Sequence, residues 1–187
     1  MIPSANNAKS PLKWFHVTFS TYGSWLPGDP RGFRTRDHRE QVEGNYKNPP
    51  PAGQFDGLWQ RNHARLKRPM VHLTPPQRAC AGRAMVEMLR RLEMAVVAIA
   101  VGAQHVHIVA QLPDDEAKLV VGRAKKHAAH VLIEDGFRGG PWAKGCRTQP
   151  IVDQAHQHSA ISYVARHKDQ GAWAWRWGDP DPLKTPL

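Results

Sequence analysis

Residues 13–21, KWFHVTFST, alternate along the chain. Trp14, His16, Thr18 and Ser20 share one side of an extended backbone, and Phe15, Val17, Phe19 and Thr21 share the other. A period of two predicts a strand. From Tyr22 to about Leu73 the periodicity disappears, and Gly, Pro, Arg and Asn dominate, as in GSWLPGDPRGF and NPPPAGQFDG. Residues 22–73 read as an irregular insertion on the core, either a DNA-contacting element or a surface excursion. A loop of that length is unusual in a compact domain.

Periodicity resumes with TPPQRACAGRAMVEMLRRLEM (74–94), where Ala81, Met85, Met88, Leu89 and Leu92 recur at helical spacing behind a Thr-Pro-Pro start. AVVAIAV (95–101) suits a buried strand, and HVHIVAQL (105–112) a second one, joined across Gly102-Ala103-Gln104 as a hairpin. Residues 114–134 open with three acids and continue with bases and apolar residues at helical spacing, which complements the helix dipole. RTQPIVD (147–153) reads as a short strand, and residues 155–170 as a helix stopped by Gly171. WAWRW (173–177) fits core packing or a closing edge strand, with stacking on nucleic-acid bases as the other use of such aromatics. Strand, helix, strand, strand, helix, strand, helix predicts an α+β fold. Its expected form is a ferredoxin-like antiparallel sheet with helices on one face, plus a C-terminal helix that carries Tyr163. The expected organisation is a loose tail over residues 1–11, one domain over 12–178 that includes the insertion, and a tail over 179–187.

Charge narrows the partner. The chain of 187 residues carries a formal +10 with a pI near 10.1, which favours a polyanion, nucleic acid above all. Two cysteines, Cys80 and Cys146, are too few for a disulfide framework or a cysteine-built zinc site. No secretory h-region and no run near the roughly 18 apolar residues of a membrane span is present, so a cytoplasmic protein with no membrane partner is expected.

Two constellations can carry chemistry. On a strand, His105 and His107 project from one face and can share an ion, while Val106 between them points into the core. His156 and His158 repeat the spacing, but in a helix a two-residue step turns their side chains apart. Tyr163 and His167 lie four apart on the last helix, one turn from each other on one face. Taken singly, each of these two reads as an ordinary helix residue. Together, a metal held by His105, His107 and a third ligand from the last helix can polarise a phosphate oxygen beside an attacking phenol. Histidines with phosphate oxygens and water suit Mg²⁺ or Mn²⁺ in use. On the helix over 114–134, Arg123, Lys125 and Lys126 are candidate contacts to a phosphate backbone, with a solvated helix face as the plainer reading.

HVHIVAQL resembles the His-hydrophobic-His strand of the HUH endonucleases, and AISYVARHKDQGAW resembles the tyrosine helix of their single-tyrosine transposases. That group includes insertion-sequence and REP-associated tyrosine transposases. FHVTFSTYGSWLPGDPRGF is similar to the opening of one branch, so the likeness spans about residues 13–178. The resemblance implies that Tyr163 is the nucleophile and forms a 5′-phosphotyrosyl bond with single-stranded or hairpin DNA. It also implies a divalent metal on His105, His107 and His167. Gln is frequent where His167 stands, and Gln170, at i+7 from Tyr163, is the alternative third ligand. Relatives include monomers and dimers that exchange the tyrosine helix, so the resemblance allows a homodimer. A non-catalytic nucleic-acid-binding module on a related sheet is the competing reading; it would need exposed aromatics where His105 and His107 stand.

Overall fold

The computed structural model describes residues 10–29, 33–34, 41–42, 48 and 50–184. Most of the tail expected over 1–11, parts of the insertion including Tyr46, and residues 185–187 lie outside the described residues. The chain runs through β1 (Leu12–Ser20), β2 (Phe33–Arg34), β3 (Gln41–Val42), α1 (Asp56–Ala64) and α2 (Pro75–Arg91). It continues as β4 (Val96–Val101), β5 (His105–Pro113), α3 (Ala117–Glu134), β6 (Arg147–Pro150), α4 (Gln154–Ala165), a 3-10 turn (Arg166–Gln170) and β7 (Trp173–Arg176).

Five strands form one antiparallel sheet in the order β6-β1-β5-β4-β7. Without β7, this is the ferredoxin-like arrangement expected from the element order, an α+β fold. The outer strand β7 comes from WAWRW. Trp175 is buried, and Trp173 lies so close to α2 that a Cβ on Gly82 would meet its ring at 2.1 Å. Trp173 and Trp175 thus belong to an edge strand packed on a helix, which removes those two as base-stacking rings, while Trp177, just beyond the strand, is 74% exposed.

The alternation in β1 and β5 divides the sheet into two unlike faces. Phe15, Val17 and Phe19 join Val106, Ile108, Ala110 and Leu112 in a core closed by α2 and α3. On the opposite face, Ala98, Ala100 and Val109 pack against Ala160 and Val164 of α4 and against Ala172. The Thr18↔His107 and Ser20↔His105 pairs set the register, so the polar side of β1 lies beside the histidines of β5.

Two of the helices have a local start signal. The N–H of Thr74 donates to the Gln77 side chain at 3.0 Å, closing the start of α2 behind Pro75. Asp153 caps α4 by accepting from the His156 N–H at 2.7 Å. The last turn of that helix tightens to 3-10 geometry and stops at Gly171, whose φ of 78° suits a residue without Cβ.

The insertion is less irregular than expected, since it contains the β2–β3 ribbon and α1. Helix α1 buries none of its residues, so no apolar stripe marks it in the sequence. Both ends of the excursion meet beside the β4–β5 hairpin. Val71 N–H donates to the Tyr22 carbonyl at 3.0 Å, Leu73 N–H to the Ala103 carbonyl at 2.9 Å, and the Thr21 hydroxyl to the Val71 carbonyl at 2.7 Å.

Candidate metal and tyrosine site

Strand geometry turns His105 and His107 to the side of the sheet that α4 covers, while Val106 between them is fully buried among the α2 and α3 core residues. The 3-10 turn that continues α4 then brings His167 down onto them. The ligand atoms of His105, His107 and His167 all lie within 4.8 Å of one another. Histidine–metal bonds of about 2.0–2.1 Å place paired nitrogens roughly 3–4 Å apart, so small side-chain rotations bring all three onto one ion. The ring of His107 lies 4.4 Å from that of His167 and 5.1 Å from that of His105, centroid to centroid.

The donor set fits a metal in tautomer and in charge. His167 Nδ1 lies 3.0 Å from the Tyr163 carbonyl. A carbonyl only accepts, so Nδ1 carries the hydrogen and Nε2 is left as the ligand atom. His107 is 8% exposed and His167 5% exposed. Burial, then the neighbouring His167, His105 and His16, push the pKa of His107 down to about 2. Its imidazole is therefore neutral at any ordinary pH, the state in which a histidine binds a cation. Three clustered imidazoles of this kind can hold a metal ion.

Tyr163 stands at the rim of this cluster, 41% exposed, while Ala160 and Val164 on the same helix point into the packed face. Its ring centroid is 4.8 Å from His167, 5.4 Å from His107 and 5.8 Å from His16. The two expected constellations, far apart in sequence, thus meet on one side of the sheet. Gln170 ends the same 3-10 turn in an exposed position. His156 and His158 remain on α4, with the Val152 N–H at 3.4 Å from His156 Nδ1.

His16 is the site residue that sequence reasoning passed over. Its Nε2 lies 3.1 Å from His107 Nδ1, and the two rings stack at 5.3 Å with 27° between their planes. Burial first, then Arg147, His156 and His167, lower its pKa. Its only sequence signal is its place on the polar side of β1, and that gains meaning once β1 is paired with β5.

The basic residues of α3 divide. Lys125 is expected as a phosphate contact, but it is 9% exposed and its ammonium donates to the carbonyls of Ala143, at 2.9 Å, and Gly145, at 2.5 Å. It also lies over the Phe19 ring, and burial lowers its pKa. Lys125 therefore ties the loop before β6 to the core instead of offering its charge to a phosphate. Arg123 and Lys126 are exposed, as expected of phosphate contacts, but α3 packs on the face opposite the histidine cluster.

Among the described residues no helix is long and apolar enough to cross a membrane. The sequence matches no protein-family model and no curated protein. One solved structure of similar fold is a REP-associated tyrosine transposase bound to a REP hairpin. It superposes with a TM-score of 0.50 at 13% identity, over 90% of this chain and 74% of that one. At that identity the likeness is one of fold.

Proposed function

We propose that this protein is a transposase-like, metal-dependent endonuclease that cuts and rejoins single-stranded DNA through Tyr163. The observation that carries the reading is the half-exposed phenol ring 4.8 Å from His167 and 5.4 Å from His107, beside three imidazoles that can share one ion. The likeness to a transposase bound to a hairpin supports hairpin DNA as the substrate to test first. A net charge of +10 favours the same class of partner.

The Tyr163 oxygen attacks phosphorus, the P–O3′ bond breaks, and the strand leaves with a 3′-hydroxyl while its partner end stays on the enzyme as a 5′-phosphotyrosine. The phenol proton passes to solvent, and the departing O3′ takes up a proton in turn. A free phenol has a pKa near 10 and is a weak nucleophile at neutral pH. Bound at His105, His107 and His167, a divalent cation such as Mg²⁺ or Mn²⁺ supplies the positive charge that polarises the phosphate and favours the phenolate. The chain's own contribution is orientation. The Tyr163 carbonyl fixes the tautomer of His167, and the packing of Val164 beside it holds the helix against β4 and β5. Rejoining reverses the attack, with a 3′-hydroxyl displacing the tyrosine, and needs no nucleotide cofactor. Arg123 and Lys126 would serve DNA that wraps to the far side of the sheet.

The test is incubation with single-stranded hairpin DNA and Mn²⁺, followed by a denaturing gel. A DNA–protein adduct that disappears with chelator and in Tyr163→Phe is the expected result. DNA retention without any adduct would replace this reading with that of a binding module. An adduct that survives in Tyr163→Phe would move the nucleophile elsewhere.

A further inference from the structure

Beyond the three clustered ligands, the same face holds a fourth imidazole whose contact to the cluster runs through another side chain. We infer that His16 is a positioning residue for the candidate metal centre, accepting a hydrogen bond from His107 Nδ1 and so fixing the His107 tautomer that presents Nε2 to a cation. This rests on the reading of His105, His107 and His167 as a cation site.

The geometry is specific. His16 Nε2 and His107 Nδ1 are 3.1 Å apart, and the rings stack at 27°. Two neutral imidazoles joined nitrogen to nitrogen share one hydrogen, so one ring must donate and the other accept. His167 solves the same problem with a backbone carbonyl, which leaves no choice of tautomer. His107 has His16 in the carbonyl's place. For its Nε2 to be a ligand, His107 Nδ1 must carry the hydrogen and His16 Nε2 must receive it. The outer partner of a metal-binding histidine orients the ring and raises its basicity, and its loss costs on the order of 10- to 100-fold in metal affinity. His16 is well placed for the task. It sits on β1, which pairs directly with β5, beside the Thr18↔His107 pair, and its ring centroid lies 5.8 Å from that of Tyr163.

Two variants separate a hydrogen-bonding role from bulk. His16→Phe keeps a ring but removes the acceptor, whereas His16→Gln keeps a side-chain carbonyl that can accept. Titration of the purified full chain with Mn²⁺ or Co²⁺, by calorimetry and by the visible Co²⁺ spectrum, reads the site without DNA. His16→Phe should bind on the order of 10- to 100-fold more weakly, and His16→Gln should recover most of that loss. Equal loss in both, or no loss in His16→Phe, overturns the role. The unmodified protein gives an independent check that does not depend on either variant folding. Its ¹⁵N imidazole shifts should show His107 protonated at Nδ1, and protonation at Nε2 instead would overturn the proposal. Absence of strand cleavage with these metal and tautomer results intact would count against the nuclease reading and leave this role standing.

Discussion

The two faces of the central sheet are built from the same strands, yet they differ in the size and polarity of what they bury. Toward α2 and α3, Phe15, Val17, Ile108 and Leu112 meet Met85, Leu89 and Leu132, all nearly or fully inaccessible. Toward α4, the buried apolar residues shrink to Ala98, Ala100, Val109, Ala160, Val164 and Ala172. Full burial of a Leu or Ile side chain contributes roughly 1.5–3 kcal/mol, and an alanine methyl only a fraction of that. The first face therefore carries most of the hydrophobic stabilisation. The second buries only small residues fully, with Trp14, Val97, Ile151 and Ile161 part-buried around them, and the histidines and the tyrosine lie on that same face. Period-two alternation makes the division possible, because each strand can give one face to the core and the other to chemistry.

Tyr163→Phe and Ile108→Ala test that division from opposite sides. Loss of the phenol oxygen should reduce Mn²⁺-dependent adduct formation by more than about 10³-fold, or over about 4 kcal/mol in the barrier. Its melting temperature should stay within about 2 °C of the unmodified protein, because the substitution keeps the ring and its neighbours. Ile108 is 1% exposed on β5, on the face opposite His105 and His107. Ile108→Ala should cost about 2–5 kcal/mol, lowering the melting temperature by roughly 2–4 °C per kcal/mol. Adduct formation per folded molecule at low temperature should persist. A large stability loss in the first variant, or a specific activity loss in the second, breaks the division.

Acid should act on the functional face before the other. In the unfolded chain His107 takes up a proton near pH 6.5, whereas the folded protein excludes that proton until about 2. The unfolded state thus binds more protons throughout that window, and stability falls as pH falls. The slope is about 1.4 kcal/mol per pH unit for one such group, or roughly 2 kcal/mol between pH 6.5 and 5. Urea melts of the chelator-treated protein across that range should show the decline. His107→Phe should reduce it, with His16 still contributing, and an unchanged slope would mean that His107 titrates normally in the fold.

The legibility of the sequence follows the same division. Strand alternation, the stripe of α2 and the His105–His107 pair were readable because local period alone determines them. Lys125 shows a local signal set aside: it lies on the stripe of Val121, Ala124, Ala128 and Leu132, so helical spacing turns it inward. His16 differs, because its meaning depends on a register between β1 and β5, strands about ninety residues apart in sequence. Helix α1 had no buried position to read. What stayed hidden was either long-range pairing or structure without a hydrophobic face.

The smallest expected effect concerns how α4 is held over so slight an apolar contact. Its first turn depends on Asp153, whose carboxylate accepts from the His156 N–H at 2.7 Å. Its far end has several restraints: Val164 is fully buried, His167 bonds to the Tyr163 carbonyl, and Arg78 of α2 donates to the Gly171 carbonyl. Asp153→Ala should therefore cost about 1 kcal/mol and speed amide exchange at residues 156–158. His167 lies fourteen residues beyond the cap, roughly 20 Å along the helix axis at about 1.5 Å per residue. Mn²⁺ affinity should then change less than twofold, because fraying at one end need not reach the other. A tenfold fall in affinity would show that α4 shifts as one rigid unit, and that the small-residue face relies on the cap to seat His167 against His107.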